Sequence, residues 1–262
     1  SAGKAERLAG GEVKGGTACA TPSEVAKRSD FVFLCVGDTE MSREVILGKD
    51  GLAEGARKGM VIADCSTIAP SASRKIGAEL AGHGIEFLDA PCTGSKGGAE
   101  TGTLTFMVGG DKELFERVLP YFRTMGKLVY HCGALGMGLQ AKLSQNLIQG
   151  NLLQAFNEGM VLSTKGGVDP KLFHEVISST LFAAPIYQNY GGIIVAEKFE
   201  PAGFALKLGL KDVDLARDAA GELKVPMAFG EILHEHFTEA VRQGMGEKDW
   251  SSIARFIAEK AG

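Results

Sequence analysis

Lys142, Asn146 and Gln149 stand at i, i+4 and i+7 within GMGLQAKLSQNLIQG, residues 136–150. On a helix these positions share one face. An ammonium and an amide one turn apart can reach the same small oxygenated ligand. Lysine shifts towards neutrality when desolvated, which suits proton exchange with a carbonyl oxygen near pH 7. The neighbours Leu139, Leu143, Leu147, Ile148, Leu152, Leu153 and Phe156 are expected to be core material, and an unpaired charge among them would be costly. Two readings stay open: a solvated polar stripe, the commoner source of such spacing, or a general acid with its helper.

Three further stretches carry groups capable of chemistry. DAPCTGSKGGAETGTLTFMVGG, residues 89–110, runs from an apolar segment into a glycine-rich turn with Thr93, Gly94 and Ser95. Backbone N–H groups and hydroxyls there could hold a carboxylate or phosphate, or the glycines could serve backbone angles alone. LKLGLKDVDLA, residues 206–216, sets Lys207 and Lys211 four apart beside Asp212 and Asp214, the pattern of a surface ion-pair face. In DCSTIAP, residues 64–70, Ser66 and Thr67 follow an apolar run, where they could line a site or cap the next helix. The five histidines do not cluster, and no serine elbow, HExxH, Walker lysine loop or EF-hand is present. No metal site is expected.

The elements that must position these groups alternate in the first half. Apolar, strand-forming runs at 30–37, 60–67, 85–94, 103–110 and 127–133 are bounded by Gly, Pro or Asp. Helical patterns occupy 39–56, 71–81 and 112–124 between them. The first three strands are almost continuously apolar, as in a parallel sheet covered on both faces, and ligands of such sheets bind beyond the strands' carboxyl ends. From 139 the strands stop. One helical pattern spans 139–165, and more follow at 170–179, 186–196, 204–223, 227–243 and 251–260, with Gly191 and Gly192 weakening the second. The expected fold is therefore α/β at 1–135, a long connecting helix at 136–165 and an all-helical domain at 166–262.

A net charge of −4 excludes a broad basic footprint for nucleic acid. No apolar stretch reaches the roughly 18 residues of a membrane span, and no signal peptide is visible. Five scattered cysteines without a CxxC pair point to a reducing cytoplasm.

In order and spacing, VIADCSTIAP, DAPCTGSKGGAETGTL, GMGLQAKLSQN and FALKLGLKDVDLA resemble motifs of the β-hydroxyacid dehydrogenase family. Its members include 3-hydroxyisobutyrate dehydrogenase, tartronate semialdehyde reductase and the glyoxylate/succinic semialdehyde reductases. The resemblance covers essentially the whole chain. It implies a Rossmann-like domain joined by a long helix to an all-α domain, and an NAD(P)-dependent reaction on a small carboxylic acid. It makes Lys142 the catalytic lysine, with Asn146 holding the substrate and its reacting oxygen. Thr93 and Gly94, with Ser95 beside them, would grip the substrate carboxylate. Thr93 departs from the family's usual serine and Cys92 from its usual valine, so activity should survive while substrate preference shifts. Thr67 would lie beside the nicotinamide, Val36 and Gly37 near the adenosine, and Lys211 on the cofactor. Phe204 and Asp212 would line the closed site. A homodimer or homotetramer through the helical domain is implied as well.

The family opens with a strand and a GxGxxG turn whose glycines let backbone approach the pyrophosphate. These 262 residues hold no such motif. Relative to the family, one βαβ portion of about 30 residues is missing, so an N-terminally truncated Rossmann-like domain is expected. Ser1 and Lys4 would meet a 2′-phosphate, which favours NADP over NAD. Two function classes follow: a β-hydroxyacid dehydrogenase or reductase, or a cofactor-impaired binding or scaffold paralogue of the same fold.

Overall fold

The computed structural model describes residues 2–12 and 15–262. The chain divides into two compact units, Ser1–Thr93 with Leu104–Ala141, and Gly94–Thr103 with Lys142–Gly262. Among the described residues the first unit holds six strands: β1 (Phe31–Leu34), β2 (Val61–Asp64), β3 (Glu86–Asp89), β4 (Cys92–Thr93), β5 (Leu104–Gly109) and β6 (Gly126–Gly133). Helices α1 (Ala2–Arg7), α2 (Pro22–Lys27), α3 (Thr39–Leu47), α4 (Leu52–Gly55) and α5 (Pro70–Gly82) precede β3. After β4 comes α6 (Ser95–Thr101), which belongs to the second unit, and after β5 comes α7 (Lys112–Phe122).

The strands run β1-β2-β3-β5-β4, with β6 also on β5. The pairs β1–β2, β2–β3 and β5–β6 are parallel, and β5 is antiparallel to β3 and β4. Every residue of β2 is buried, which explains its unbroken apolar sequence. Alternation sends Val32, Leu34 and Ile62 to a core completed by Ile46, Ile76 and Leu80. Val61, Ala63, Leu88 and Phe106 go to a second core with Leu114, Val118 and Phe122 of α7.

Two elements expected to be continuous are each split in two. The helical pattern at 39–56 is two helices, because α3 ends at Gly48 and Asp50 takes a left-handed φ of 56° before α4 begins. A Cβ at Gly48 would overlap the carbonyl of Glu44. The strand expected at 85–94 breaks at Pro91, which has no N–H for a ladder. Its carbonyl accepts from Met107 N–H at 2.9 Å, and the chain resumes as β4 on β5.

The 29-residue α8 (Met137–Lys165) begins in the first unit and continues into the second, a length of about 43 Å. It is followed by α9 (Pro170–Ser179), α10 (Pro185–Val195), α11 (Leu206–Leu223), α12 (Ala228–Ala240) and α13 (Ile253–Lys260). Leu153, Leu206, Val213, Leu233, Phe237 and Phe256 pack around Trp250. α10 forms despite its two glycines because packing outweighs propensity: a Cβ at Gly191 would overlap the His174 ring. No described helix is long and apolar enough to cross a membrane. No group of three or more His, Cys, Asp or Glu among the described residues could hold a metal ion.

Candidate active site

The helix carrying Lys142 starts at a defined residue because Asp89, at the end of β3, caps it. The Asp89 carboxylate accepts from Gly136 N–H at 2.6 Å and Leu139 N–H at 2.8 Å. These are donors that a helix start leaves without intrahelical partners. Burial raises the Asp89 pKa, and the two backbone bonds oppose the rise. Gly109 and Gly138 meet here too tightly for side chains, since a Cβ on either would overlap the Asp89 carboxylate or facing backbone. Asp89 and these glycines went unnoticed in the sequence. An aspartate at the end of an apolar run, two residues before Pro91, was the available signal.

Within the second unit, α8 presents Lys142 at 7 % exposure and Asn146 at 4 %. Lys142 and Asn146 are therefore buried, and the solvated reading does not hold for them; Gln149 is half-buried. Asn146 Nδ2 donates to Asp212 Oδ2 on α11 at 2.6 Å. Asp212 is 2 % exposed, and the ammonium of Lys211 lies 3.1 Å from its other oxygen. So the Lys211–Asp212 pair is not the surface ion pair its spacing suggested. Gln149, one turn further along, donates to the Tyr190 hydroxyl at 3.1 Å. Burial raises the Tyr190 pKa, so this phenol stays neutral.

Phe204 is half-buried, its ring edge-on to Trp250 at 5.0 Å. Its backbone is held by Asp249, whose Oδ2 accepts from Gly203 N–H at 3.0 Å and Phe204 N–H at 3.1 Å. Asp249 was not singled out in the sequence, although an Asp before Trp-Ser-Ser is a cap signal. Ser251 satisfies its other oxygen through N–H and hydroxyl, at 3.0 and 2.6 Å.

In the first unit, Val36 and Gly37 follow β1 and Ser66 and Thr67 follow β2. Val36 N–H donates to Ser66 Oγ at 2.8 Å, and Ser66 N–H donates to the buried Asp64 at 2.9 Å. Val36 and Thr67 are half-buried and Gly37 is exposed. This polar-edged shelf at the carboxyl ends of parallel strands fits a dinucleotide. At Gly37 a Cβ would press on Met41 Sδ at 3.3 Å, so glycine keeps the backbone approachable. Lys4 is exposed on α1, and Ser1 lies outside the described residues.

Thr93 sits on β4 opposite Thr105. Gly94 and Ser95 follow, both exposed, with φ of 130° and 54°. A left-handed serine is uncommon. The structure thus joins Asn146, Asp212 and Lys211 by direct contacts beside Lys142 on the same helix face, and holds Phe204 separately against Trp250.

Two family models match the chain. Residues 1–133 match the NAD binding domain of 6-phosphogluconate dehydrogenase, and residues 136–257 match the NAD-binding domain of NADP-dependent 3-hydroxyisobutyrate dehydrogenase. A mitochondrial 3-hydroxyisobutyrate dehydrogenase of Mus musculus is 31 % identical over 246 residues, spanning 92 % of this chain and 73 % of the relative. Glyoxylate/succinic semialdehyde reductase 1 of Arabidopsis thaliana is 32 % identical over 243 residues, 93 % and 84 % of the two chains. Among solved structures, the 3-hydroxyisobutyrate dehydrogenase of Mycobacterium tuberculosis with L-serine superposes with a TM-score of 0.85 at 26 % identity, covering 97 % of this chain and 88 % of that one.

Proposed function

Because the chain belongs to the 3-hydroxyisobutyrate dehydrogenase-like family of NAD(P)-dependent oxidoreductases, we propose that it interconverts a short β-hydroxyacid and its semialdehyde, with Lys142 as general acid and base. The observation that carries this reading is the burial of Lys142 and Asn146 on one face of α8, with Asn146 tied to Asp212. A cofactor of this class supplies or accepts the hydride. In the reducing direction the Lys142 ammonium gives its proton to the carbonyl oxygen as negative charge develops there. In the oxidising direction its neutral amine takes that proton back. Asp212 fixes one side of the Asn146 amide by accepting from its Nδ2, and Asn146 holds the substrate and its reacting oxygen. Thr93, Gly94 and Ser95 offer hydroxyls and backbone N–H groups to the carboxylate. Within the helical unit, Asp212 and Phe204 are the remaining substrate-binding residues.

Val36, Gly37 and Thr67 form the cofactor shelf of the first unit, and Lys211, paired with Asp212, is the second unit's cofactor-contacting residue. Lys4 and Ser1 favour NADP over NAD through a 2′-phosphate. A relative solved with L-serine, a three-carbon β-hydroxyacid, supports a small substrate. Glyoxylate and succinic, tartronate and methylmalonate semialdehydes are the candidates. Five cysteines as thiols support a reducing cytoplasm. Exposed Leu162, Leu181 and Phe229 support self-association of the helical unit as a homodimer or homotetramer.

Steady-state NADPH oxidation with those four substrates tests the reading. Lys142→Ala should lower kcat by about 10² to 10⁴, the usual share of general acid catalysis, while KM for NADPH stays put. Undiminished turnover in that variant would remove Lys142 from the mechanism.

A further inference from the structure

Three of the five cysteines gather at one end of the sheet. Cys35 follows β1, Cys65 follows β2 and Cys92 opens β4. β1 and β2 are parallel with Leu34 opposite Asp64. The ladder continues one step, since Cys65 N–H donates to the Leu34 carbonyl at 2.7 Å. That bond places Cys35 directly opposite Cys65. Neighbouring strands lie about 4.8 Å apart, within the roughly 4.4–6.8 Å Cα separation that a disulfide spans.

Alternation turns both side chains to the same face. Phe31, Val61 and Ala63 belong to the core beneath α7, and Phe33 meets Phe122 of that core with ring centroids 5.2 Å apart. Counting on by two from Phe33 and Ala63 reaches Cys35 and Cys65. Cys65 and Cys92 pack on that core. Cys35 is exposed and Cys65 half-buried. Burial first, then Cys92 and Cys35, hold the Cys65 thiol well above its ordinary pKa. Cys35 is therefore the thiol that solvent reaches, and Cys65 is the slower partner behind it. All five cysteines are thiols in this structure.

We propose that Cys35 and Cys65 form a peroxide-responsive pair that closes reversibly into a disulfide across the carboxyl ends of β1 and β2. The Cys35 thiolate attacks one oxygen of a hydroperoxide. The O–O bond breaks, leaving a sulfenic acid on Cys35 and releasing the second oxygen as water or alcohol. The Cys65 sulfur then attacks the Cys35 sulfur and expels hydroxide, which leaves as water with the Cys65 proton. The two sulfurs lose two electrons and the peroxide gains two, and a small dithiol reverses the change.

Val36–Gly37 and Ser66–Thr67 follow the two cysteines directly, so closure draws the two turns together. Given the reading of Val36, Gly37 and Thr67 as the cofactor shelf, closure raises KM for NADPH more than it lowers kcat. The pair itself does not depend on that reading.

The test treats the full chain with hydrogen peroxide, alkylates remaining thiols and maps unreduced peptides by mass spectrometry. A Cys35–Cys65 linkage that dithiothreitol releases is expected. It should vanish in Cys35→Ser, Cys65→Ser and Cys65→Ala, and persist in Cys92→Ser. A Cys65–Cys92 linkage, or Cys35 oxidised to sulfinic acid with Cys65 still a thiol, would overturn the proposal. KM for NADPH is then measured before and after oxidation, with a several-fold rise expected in wild type and none in Cys65→Ser. A linkage that forms without moving KM would count against the cofactor-shelf reading and leave the thiol pair standing.

Discussion

Two buried carboxylates, Asp89 and Asp212, each hold a part of α8, one at its foot and one at Asn146. Asp89 spends both oxygens on backbone N–H groups, at 2.6 and 2.8 Å. Asp212 takes a side-chain amide at 2.6 Å and faces an ammonium at 3.1 Å. Backbone donors are present whatever the residue type, so Asp89 serves the start of a helix. Side-chain donors are present only because lysine and asparagine occupy those positions. An asparagine and a carboxylate held in core are costly to keep for packing alone. The difference separates a carboxylate that shapes the fold from one that, under the proposed function, prepares a site.

Asp89→Ala should have the largest effect on stability. It leaves two buried N–H groups without acceptors and should cost about 2–4 kcal/mol in a denaturant melt. Asp89→Asn should be nearly as harmful, because its amide sets N–H against N–H. If the Asn variant proved as stable as wild type, the capping role would be lost.

Asp212→Asn is expected to cost less in stability, about 1–2 kcal/mol, but to lower kcat well over tenfold at saturating NADPH. Equal and small losses of activity in the Asp89 and Asp212 variants would erase the distinction.

Asp64 refines the comparison, since it stands beside Asp89 in register yet bonds the Ser42 hydroxyl and Ser66 N–H. A serine hydroxyl can accept as well as donate, so Asp64→Asn should change stability by under about 1 kcal/mol at neutral pH. Burial raises the Asp64 pKa in the fold. Its contribution to stability is therefore greatest below its ordinary value near 4 and is lost as pH rises through the raised one. Melting temperature against pH should accordingly decline less from about pH 4 upward in the variant. An identical profile would show that Asp64 carries no such shift.

The smallest effect belongs to the partly exposed Glu239, whose pKa Arg242 and Gln243 lower to about 2. Its contribution is present above the ordinary carboxylate value and lost as pH falls towards 2. Solvent and salt screen it, so Glu239→Gln should leave the melting temperature at pH 7 unchanged within error.

The alternation of short apolar runs with amphipathic ones was legible in the residues, because strand and helix periods are local properties of a chain. So was the shared face of Lys142 and Asn146. Whether that face was wet or dry was not legible, since the answer depends on Asp212, 66 positions away. The division of 85–94 at Pro91 could have been read from the proline's missing N–H. The turn of β4 onto β5 could not, because strand pairing is a long-range choice.

Residue type and spacing by themselves determined the order of elements, the family and the groups able to exchange a proton or hold an anion. Tertiary structure alone decided that Lys142 and Asn146 of α8 are buried, that Asp89 and Asp249 orient backbone, and that Cys35 stands opposite Cys65. Burial and strand register depend on segments tens of residues apart meeting in space, and no local pattern encodes that meeting.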